Sequence, residues 1–136
     1  MKTLFILKPD TVGKGNVGKV LAMVEAAGFT IRRMELVRLT PSRARGFYAV
    51  HEGKPFLDEL VRYMSSGPCV PVVLEADNAI PRLRELMGAT DSRKAAPGTI
   101  RAAYGVDIQN NAVHGSDSPE SARTEIPFFF PDEPVD

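Results

Sequence analysis

Two stretches of this chain, Thr3–Leu7 and Val70–Glu75, are apolar and rich in β-favouring residues, so both read as strands, the first as a buried one. The first is halted by Pro9. The period then changes: Val17, Val20, Leu21 and Val24 recur at helical spacing and stop at Gly28, a glycine placed to close a helix. Phe29–Leu39 alternates, but its apolar phase slips between Ile31 and Met34, which predicts a bulged or twisted second strand. Thr40-Pro41 offers an N-cap followed by proline at the first helical position, opening a short helix through Tyr48. Phe56, Leu57, Leu60, Val61 and Met64 form the apolar face of the next helix, which Ser66-Gly67-Pro68 ends. After the third strand at Val70–Glu75, Asp77 or Asn78 caps a helix whose Ile80, Leu83 and Met87 face inward as far as Gly88. Periodicity is lost from Ala89 to Gln109, apart from a weak helical patch at Ile100–Tyr104, and loops of that length inside a domain are usually functional. Asn111–His114 can form a last strand, and Ser118-Pro119-Glu120 starts a last helix. Taken on pattern alone, the order β-α-β-αα-β-α-β-α favours a doubly wound parallel sheet.

A length of 136 residues predicts a single domain over 1–136, ending in the aromatic cluster of "FFFPDEPVD" and a short acidic tail, 131–136. No window reaches the ~18 uncharged apolar residues that cross a bilayer. Charges at Lys8 and Asp10 interrupt the N-terminal apolar run before any signal-peptide pattern, so a cytoplasmic location is expected. Cys69 stands alone, which excludes an internal disulfide and a cysteine-built metal cage; at the head of an apolar run it reads as a buried structural thiol. Seventeen basic and seventeen acidic residues cancel, leaving no general field for nucleic acid or a membrane surface. A polyanionic ligand must therefore be met by a local cluster of cations.

"GKGNVGKV", Gly13–Val20, imitates two phosphate-binding glycine motifs. Val20 stands where the hydroxyl that holds a metal would be needed, and Pro9–Val12 separate the glycines from the strand, so the segment reads as a flexible turn and a helix start. "NAVHGSDS", Asn111–Ser118, carries more. His114 sits at a strand end, on the shortest link into a new helix. Neutral imidazole is nucleophilic near neutral pH and can accept a phosphoryl group. Gly115 would let a tetrahedral group approach, while Ser116 and the helix start at Ser118 would supply donors for anionic oxygens. The same residue also reads as an ordinary hydrogen-bonded structural histidine.

Read together with "KPD" at Lys8–Asp10, "SGP" at Ser66–Pro68, "GAT" at Gly88–Thr90 and "PGTIRA" at Pro97–Ala102, the histidine segment resembles the nucleoside diphosphate kinases, over nearly the whole chain to about Phe130. The resemblance implies a ping-pong reaction. A nucleoside triphosphate, chiefly ATP, gives its γ-phosphate to His114 as a pros-phosphohistidine, and a second nucleoside diphosphate of any base collects it. It implies that Glu125 orients the imidazole and that Ser116 and Tyr48 support it. Lys8, Arg84, Thr90 and Arg101 match the phosphate contacts, with Lys8 and Asn111 reaching the ribose hydroxyls. Phe56 matches the aromatic that stacks on the base, although on its helix face alone it reads as core. Mg2+ is expected to arrive on the nucleotide phosphates, with no metal ligands from protein side chains. The implied fold is a ferredoxin-like α/β sandwich: a four-stranded antiparallel sheet with helices on one face, plus extra helices and a long nucleotide-site loop. A homo-oligomer, tetramer or hexamer, is implied as well.

The resemblance is looser at two places. Asp91-Ser92-Arg93 follow Thr90 where Asn-Pro is common, which alters the start of the long loop and adds Arg93 near the phosphate site. Pro127 falls where the last helix usually continues, and would shift Glu125. His51 matches no catalytic position and reads as surface. Two other functions fit the same residues: a nucleotide sensor that binds without turnover, and a histidine-dependent phosphate-ester hydrolase.

Overall fold

The strand β1 (Lys2–Leu7) is buried along its whole length, so it must be central in its sheet with both faces covered. In this computed structural model, which describes residues 1–135, β3 (Val70–Glu75) lies antiparallel to it with Lys2 opposite Glu75 and Leu7 opposite Val70. Asp136, the last residue of the expected acidic tail, lies outside the described residues. β2 (Thr30–Met34) pairs with the far side of β3, and β4 (Val113–Gly115) with the free side of β1. The order is β2-β3-β1-β4, and every pairing is antiparallel.

This overturns the parallel sheet that alternation of strands and helices suggests, and agrees with the ferredoxin-like sandwich. The cause is that each strand-helix-strand crossover steps over one position, which a strand of the other crossover fills. β3 enters between β1 and β2, and β1 between β3 and β4. Alternation in the sequence registers the crossovers but is silent on which strand occupies the gap.

Side chains alternate across β1, so its two faces feed two cores. Leu4 and Ile6, with Val73 of β3, pack against α3 (Pro41–Phe47), α4 (Leu57–Met64) and α7 (Pro119–Phe129) through Ala44, Val61, Met64 and Ile126. Phe5 and Leu7, with Val72 and Leu74, meet the crossover helices α2 (Val17–Ala26) and α5 (Ala79–Met87) through Val20, Val24, Leu83 and Met87. The two crossover helices thus cover one face and the extra helices the other.

Local signals hold closely. Gly28 follows α2 with a φ of +94°, and the register of β2 slips between Ile31 and Arg33, as the shifted apolar phase predicts. The Thr40 side chain accepts from the Arg43 amide, and Ser118 and Ser121 cap α7 reciprocally. Two differences matter for the site. Pro9, Asp10 and Thr11 open a helix, α1 (Pro9–Gly13), too short to show any periodicity in the sequence. β4 begins at Val113 because Ala112 has a φ of +73°, which no strand accommodates. Among the described residues no helix is long and apolar enough to cross a membrane.

Candidate active site

Antiparallel pairing places His114 opposite Ile6, on the sheet face that α3, α4 and α7 cover. The neighbours Val113 and Gly115 are buried on the other face, so the imidazole emerges alone, its side chain 23% exposed. Its Nε2 lies 2.9 Å from Oε1 of Glu125, a residue of α7. The same oxygen accepts from Oγ of Ser116 at 3.0 Å, and Ser116, fully buried, accepts in turn from the Leu4 amide at 3.3 Å. Donating the Nε2 proton to a fixed carboxylate leaves the lone pair on Nδ1, the nitrogen nearer the backbone. Phe47 meets the ring edge-on at 5.6 Å between centroids, and Tyr48 does so at 6.4 Å.

His114 opens into a cleft of about 540 Å3, in the size range of a small-molecule site. Lys8, Tyr48, Phe56, Arg84, Thr90, Arg101 and Asn111, expected at the site, all line it. Glu125 and Ser116 stand behind the histidine. The segments converge because the C-terminal end of β1, the end of α5, the long loop and the start of β4 meet at one edge of the sandwich. Nζ of Lys8 donates to Oδ1 of Asn111 at 2.7 Å, and the Asn111 amide donates to the carbonyls of Thr90 and Ile108, both at 3.0 Å. Arg101, in the short helix α6 (Ile100–Tyr104), donates to the carbonyls of Asn111, Gly88 and Val113 at 3.3, 3.0 and 2.9 Å. Three of its five N–H groups are thereby used, and two remain for a ligand.

These cations sit close together with little compensation. Burial, and then the nearby Arg101, push the Lys8 ammonium down to about 8, with Asp10 opposing. Burial and then Arg84 push Arg101 down to about 10. Phe56 is 46% exposed, too open for a core residue and suited to stack on a flat ligand. Burial above all, then Cys69 and Glu125, raise the Tyr48 phenol far above its usual range, so it stays protonated. The arrangement gives a free imidazole nitrogen, a carboxylate that fixes it, and a cleft in which the cations Lys8, Arg84 and Arg101 outnumber the carboxylates: the parts of a phosphoryl acceptor.

Several expectations need correction. What Gly115 makes room for is the protein itself, since a Cβ there would lie 2.7 Å from Cε of Met87. Ser116 faces Glu125 rather than a ligand. The amides of Asp117 and Ser118, just ahead of α7, are taken by Oγ of Ser121 at 3.1 Å each, and that of Ser121 by Oγ of Ser118, so these donors are already engaged. Arg93 turns back onto Asp91, with two contacts of 3.0 Å, and does not line the cleft. Pro127 leaves α7 intact to Phe129; lying in the last turns, it removes a single ladder bond and Glu125 keeps its partner. His51 lies outside the cleft, half-buried, with Tyr48 and Phe56 beside its ring at centroid distances of 6.1 and 5.2 Å. The Gly13–Val20 segment stays outside the cleft. Sequence reasoning missed Phe47, whose aromatic pairing with Tyr48 has no spacing signal, and Ile108 and Asp117, which also line the cleft.

Comparison with known proteins is consistent with this site. The family profile described as nucleoside diphosphate kinase matches residues 1–135. The chain is 54% identical over 134 residues to a nucleoside diphosphate kinase of Salinibacter ruber, covering 98% of this chain and 94% of that protein. It is 56% identical over 129 residues to one of Chlamydia felis, covering 95% and 92%. Among solved structures, a nucleoside diphosphate kinase of Aquifex aeolicus superposes with a TM-score of 0.92 at 52% identity, covering 95% of this chain and 94% of that one. One from Halobacterium salinarum, solved in complex with CDP, gives 0.93 at 40% identity, covering 97% and 88%. Fold, cleft and likeness along almost the full length agree: the chain belongs to the nucleoside diphosphate kinase family.

Proposed function

We propose that the chain acts as one domain that exchanges γ-phosphates between nucleotides through His114, with the roles assigned residue by residue as follows. The observation that carries the reading is the Nε2–Glu125 contact of 2.9 Å, which commits the ring proton and leaves Nδ1 available beside Lys8, Arg84 and Arg101. Nδ1 attacks the γ-phosphorus, the bond from phosphorus to the β–γ bridging oxygen breaks, and the nucleoside diphosphate leaves with that oxygen. Glu125 stabilises the positive charge that the imidazole acquires. The reverse step, with a different diphosphate as acceptor, regenerates the ring.

Arg101 and Arg84 grip phosphate oxygens, and Thr90 adds a hydroxyl donor. Lys8 and Asn111, joined by their own hydrogen bond, meet the ribose and phosphate together. Phe56 stacks on the base by its π-face, which every base offers, so base discrimination is weak. The halophilic relative's complex with CDP supports a nucleotide in this cleft. Among the described residues the cleft contains three cations and only the carboxylates Glu59 and Asp117, a donor set that fits a Mg2+ ion held mainly by nucleotide phosphates. Bound so, the metal would neutralise charge on the transferring group. The open edge of β2, with Met34 and Leu36 exposed, supports assembly into a tetramer or hexamer, which light scattering measures directly.

Ping-pong transfer predicts parallel double-reciprocal plots when ATP is varied at several fixed concentrations of a second diphosphate, and ATP–ADP isotope exchange with no second nucleotide. Intersecting plots, or steady release of free phosphate without an acceptor, would replace this reading with a ternary-complex kinase or a hydrolase. Glu125→Ala slows phosphohistidine formation by about 10–100-fold without stopping it, since the nucleophile remains but turns freely. Single-turnover labelling with γ-labelled ATP measures this.

A further inference from the structure

The backbone directly ahead of His114 is bent in a way that alanine rarely adopts. The Val113 amide donates to the carbonyl of Asn111 at 2.8 Å, closing a three-residue turn around Ala112, whose φ is +73°. This is the γ-turn of positive φ, a rare and strained form in which a Cβ crowds the backbone. Ala112 is fully buried and lies two residues before the nucleophile. Its dihedrals therefore set the direction in which β4 leaves. β4 cannot correct that direction itself, having three residues and a single partner strand.

A strained turn persists only where its surroundings determine it. Here the restraint comes from the start of α1. The Ala112 carbonyl accepts from the Lys8 amide at 2.9 Å and from Oγ1 of Thr11 at 2.8 Å. Its amide, which would otherwise be a buried unpaired donor, is taken by Oδ2 of Asp10 at 3.0 Å. The other oxygen of Asp10 accepts the hydroxyl of Tyr63 from α4, and the Asp10 amide donates back to that hydroxyl at 3.3 Å. One carboxylate thus ties the turn to a core helix on the same face as the imidazole.

We propose that Asp10 is a positioning residue for phosphoryl transfer: braced by Tyr63, it holds Ala112 in its left-handed turn and so aims the imidazole of His114. The proposal rests on His114 as the phosphoryl carrier. Asp10 does not line the cleft, and its charge is the smallest of the three influences on Lys8, behind burial and Arg101, so its main effect is on the geometry of attack rather than on nucleotide affinity.

The test compares the intact protein with Asp10→Ala, Ala112→Gly and the double variant, measuring the single-turnover rate of labelling by γ-labelled ATP at saturation and the Kd for ADP by calorimetry. Asp10→Ala is expected to lower the labelling rate by ~10–100-fold, the cost of a small misalignment, with Kd within about threefold. In the double variant glycine adopts the turn without a Cβ penalty, so at least ~5-fold of the rate returns. A merely structural role for Asp10 would give no such recovery. An unchanged rate in Asp10→Ala, a parallel loss of ADP affinity, or no recovery on adding Ala112→Gly overturns the proposal. Should Asp10→Ala not fold, Tyr63→Phe with and without Ala112→Gly decides by the same two measurements, with a fall of ~3-fold expected from loss of the brace alone. If the unmodified protein itself takes up no label, the carrier role of His114 fails, a result distinct from any of these.

Discussion

His114→Asn abolishes the acid-labile, alkali-stable phosphoprotein and lowers nucleotide exchange by about four to six orders of magnitude, the range seen when a covalent nucleophile is removed. The amide nitrogen of asparagine has its lone pair delocalised into the carbonyl and cannot attack phosphorus. No neighbour replaces it. His51 lies outside the cleft, its ring engaged by Tyr48, Phe56 and, at 3.4 Å from Nδ1, the ammonium of Lys54. Cys69 is fully buried, and burial pushes its thiol up to about 11, so it is neither accessible nor a thiolate. The substitution leaves the fold in place, because the side chain makes one polar contact and is partly exposed. ADP affinity should stay within about threefold, since the residues proposed to hold the nucleotide, Lys8, Arg101 and Phe56, are untouched. Radiolabelling with acid and alkali washes, beside calorimetry of ADP binding, separates the two effects. Label retained by His114→Asn would move the carrier elsewhere.

That the histidine could be found from sequence follows from how local its support is. His114, Ser116 and Glu125 lie within twelve residues, and the strand end, the serine cap and the helix between them all have spacing rules. The converging cations were less legible. Nothing in the pattern of Lys8 or Arg101 distinguishes them from solvated surface residues, and only the resemblance brought them to one cleft. In the structure both are nearly buried, which sets them apart from solvated surface cations, because a buried cation is costly inside a protein. The turn at Ala112 left no trace at all, since alanine is an ordinary strand or helix residue and only long-range bonds from Asp10, Thr11 and Lys8 force its φ positive. The pattern alone suggests a parallel sheet, and only the resemblance gives the antiparallel one, for a related reason. Periodicity reports which face of an element is dry, and strand neighbours are chosen by tertiary packing.

Lys8→Met should inactivate the enzyme and at the same time stabilise it. Loss of a charged contact to the transferring phosphate lowers exchange by ~10²–10³-fold. Without nucleotide, however, Lys8 is a nearly buried ammonium that burial and Arg101 push from 10.5 down to about 8, a shift equivalent to about 3 kcal/mol of destabilisation. Methionine follows the same stem and carries no charge. After losing the charge-assisted hydrogen bond to buried Asn111, worth about 1.5–3 kcal/mol, the variant should still gain up to about 1.5 kcal/mol, or a few degrees in Tm. The gain has a pH signature. Below pH 8 both folded and unfolded wild-type chains hold the proton, and the penalty is complete. Between pH 8 and 10.5 the unfolded chain binds more protons than the folded one, so wild-type stability rises with pH relative to the variant, and the advantage of methionine fades. Nucleotide should reverse the order, since its phosphates bring the missing counter-charge: at saturating ADP the wild type melts higher than Lys8→Met. Binding near pH 9 should also take up a proton, visible as a dependence of the calorimetric enthalpy on the ionisation heat of the buffer. Melting curves from pH 6 to 10.5, with and without ADP, test every part. A Lys8→Met protein that melts lower than wild type without nucleotide would show that the ammonium is not under strain, and that the cleft's positive charge stabilises the empty fold rather than awaiting a phosphate.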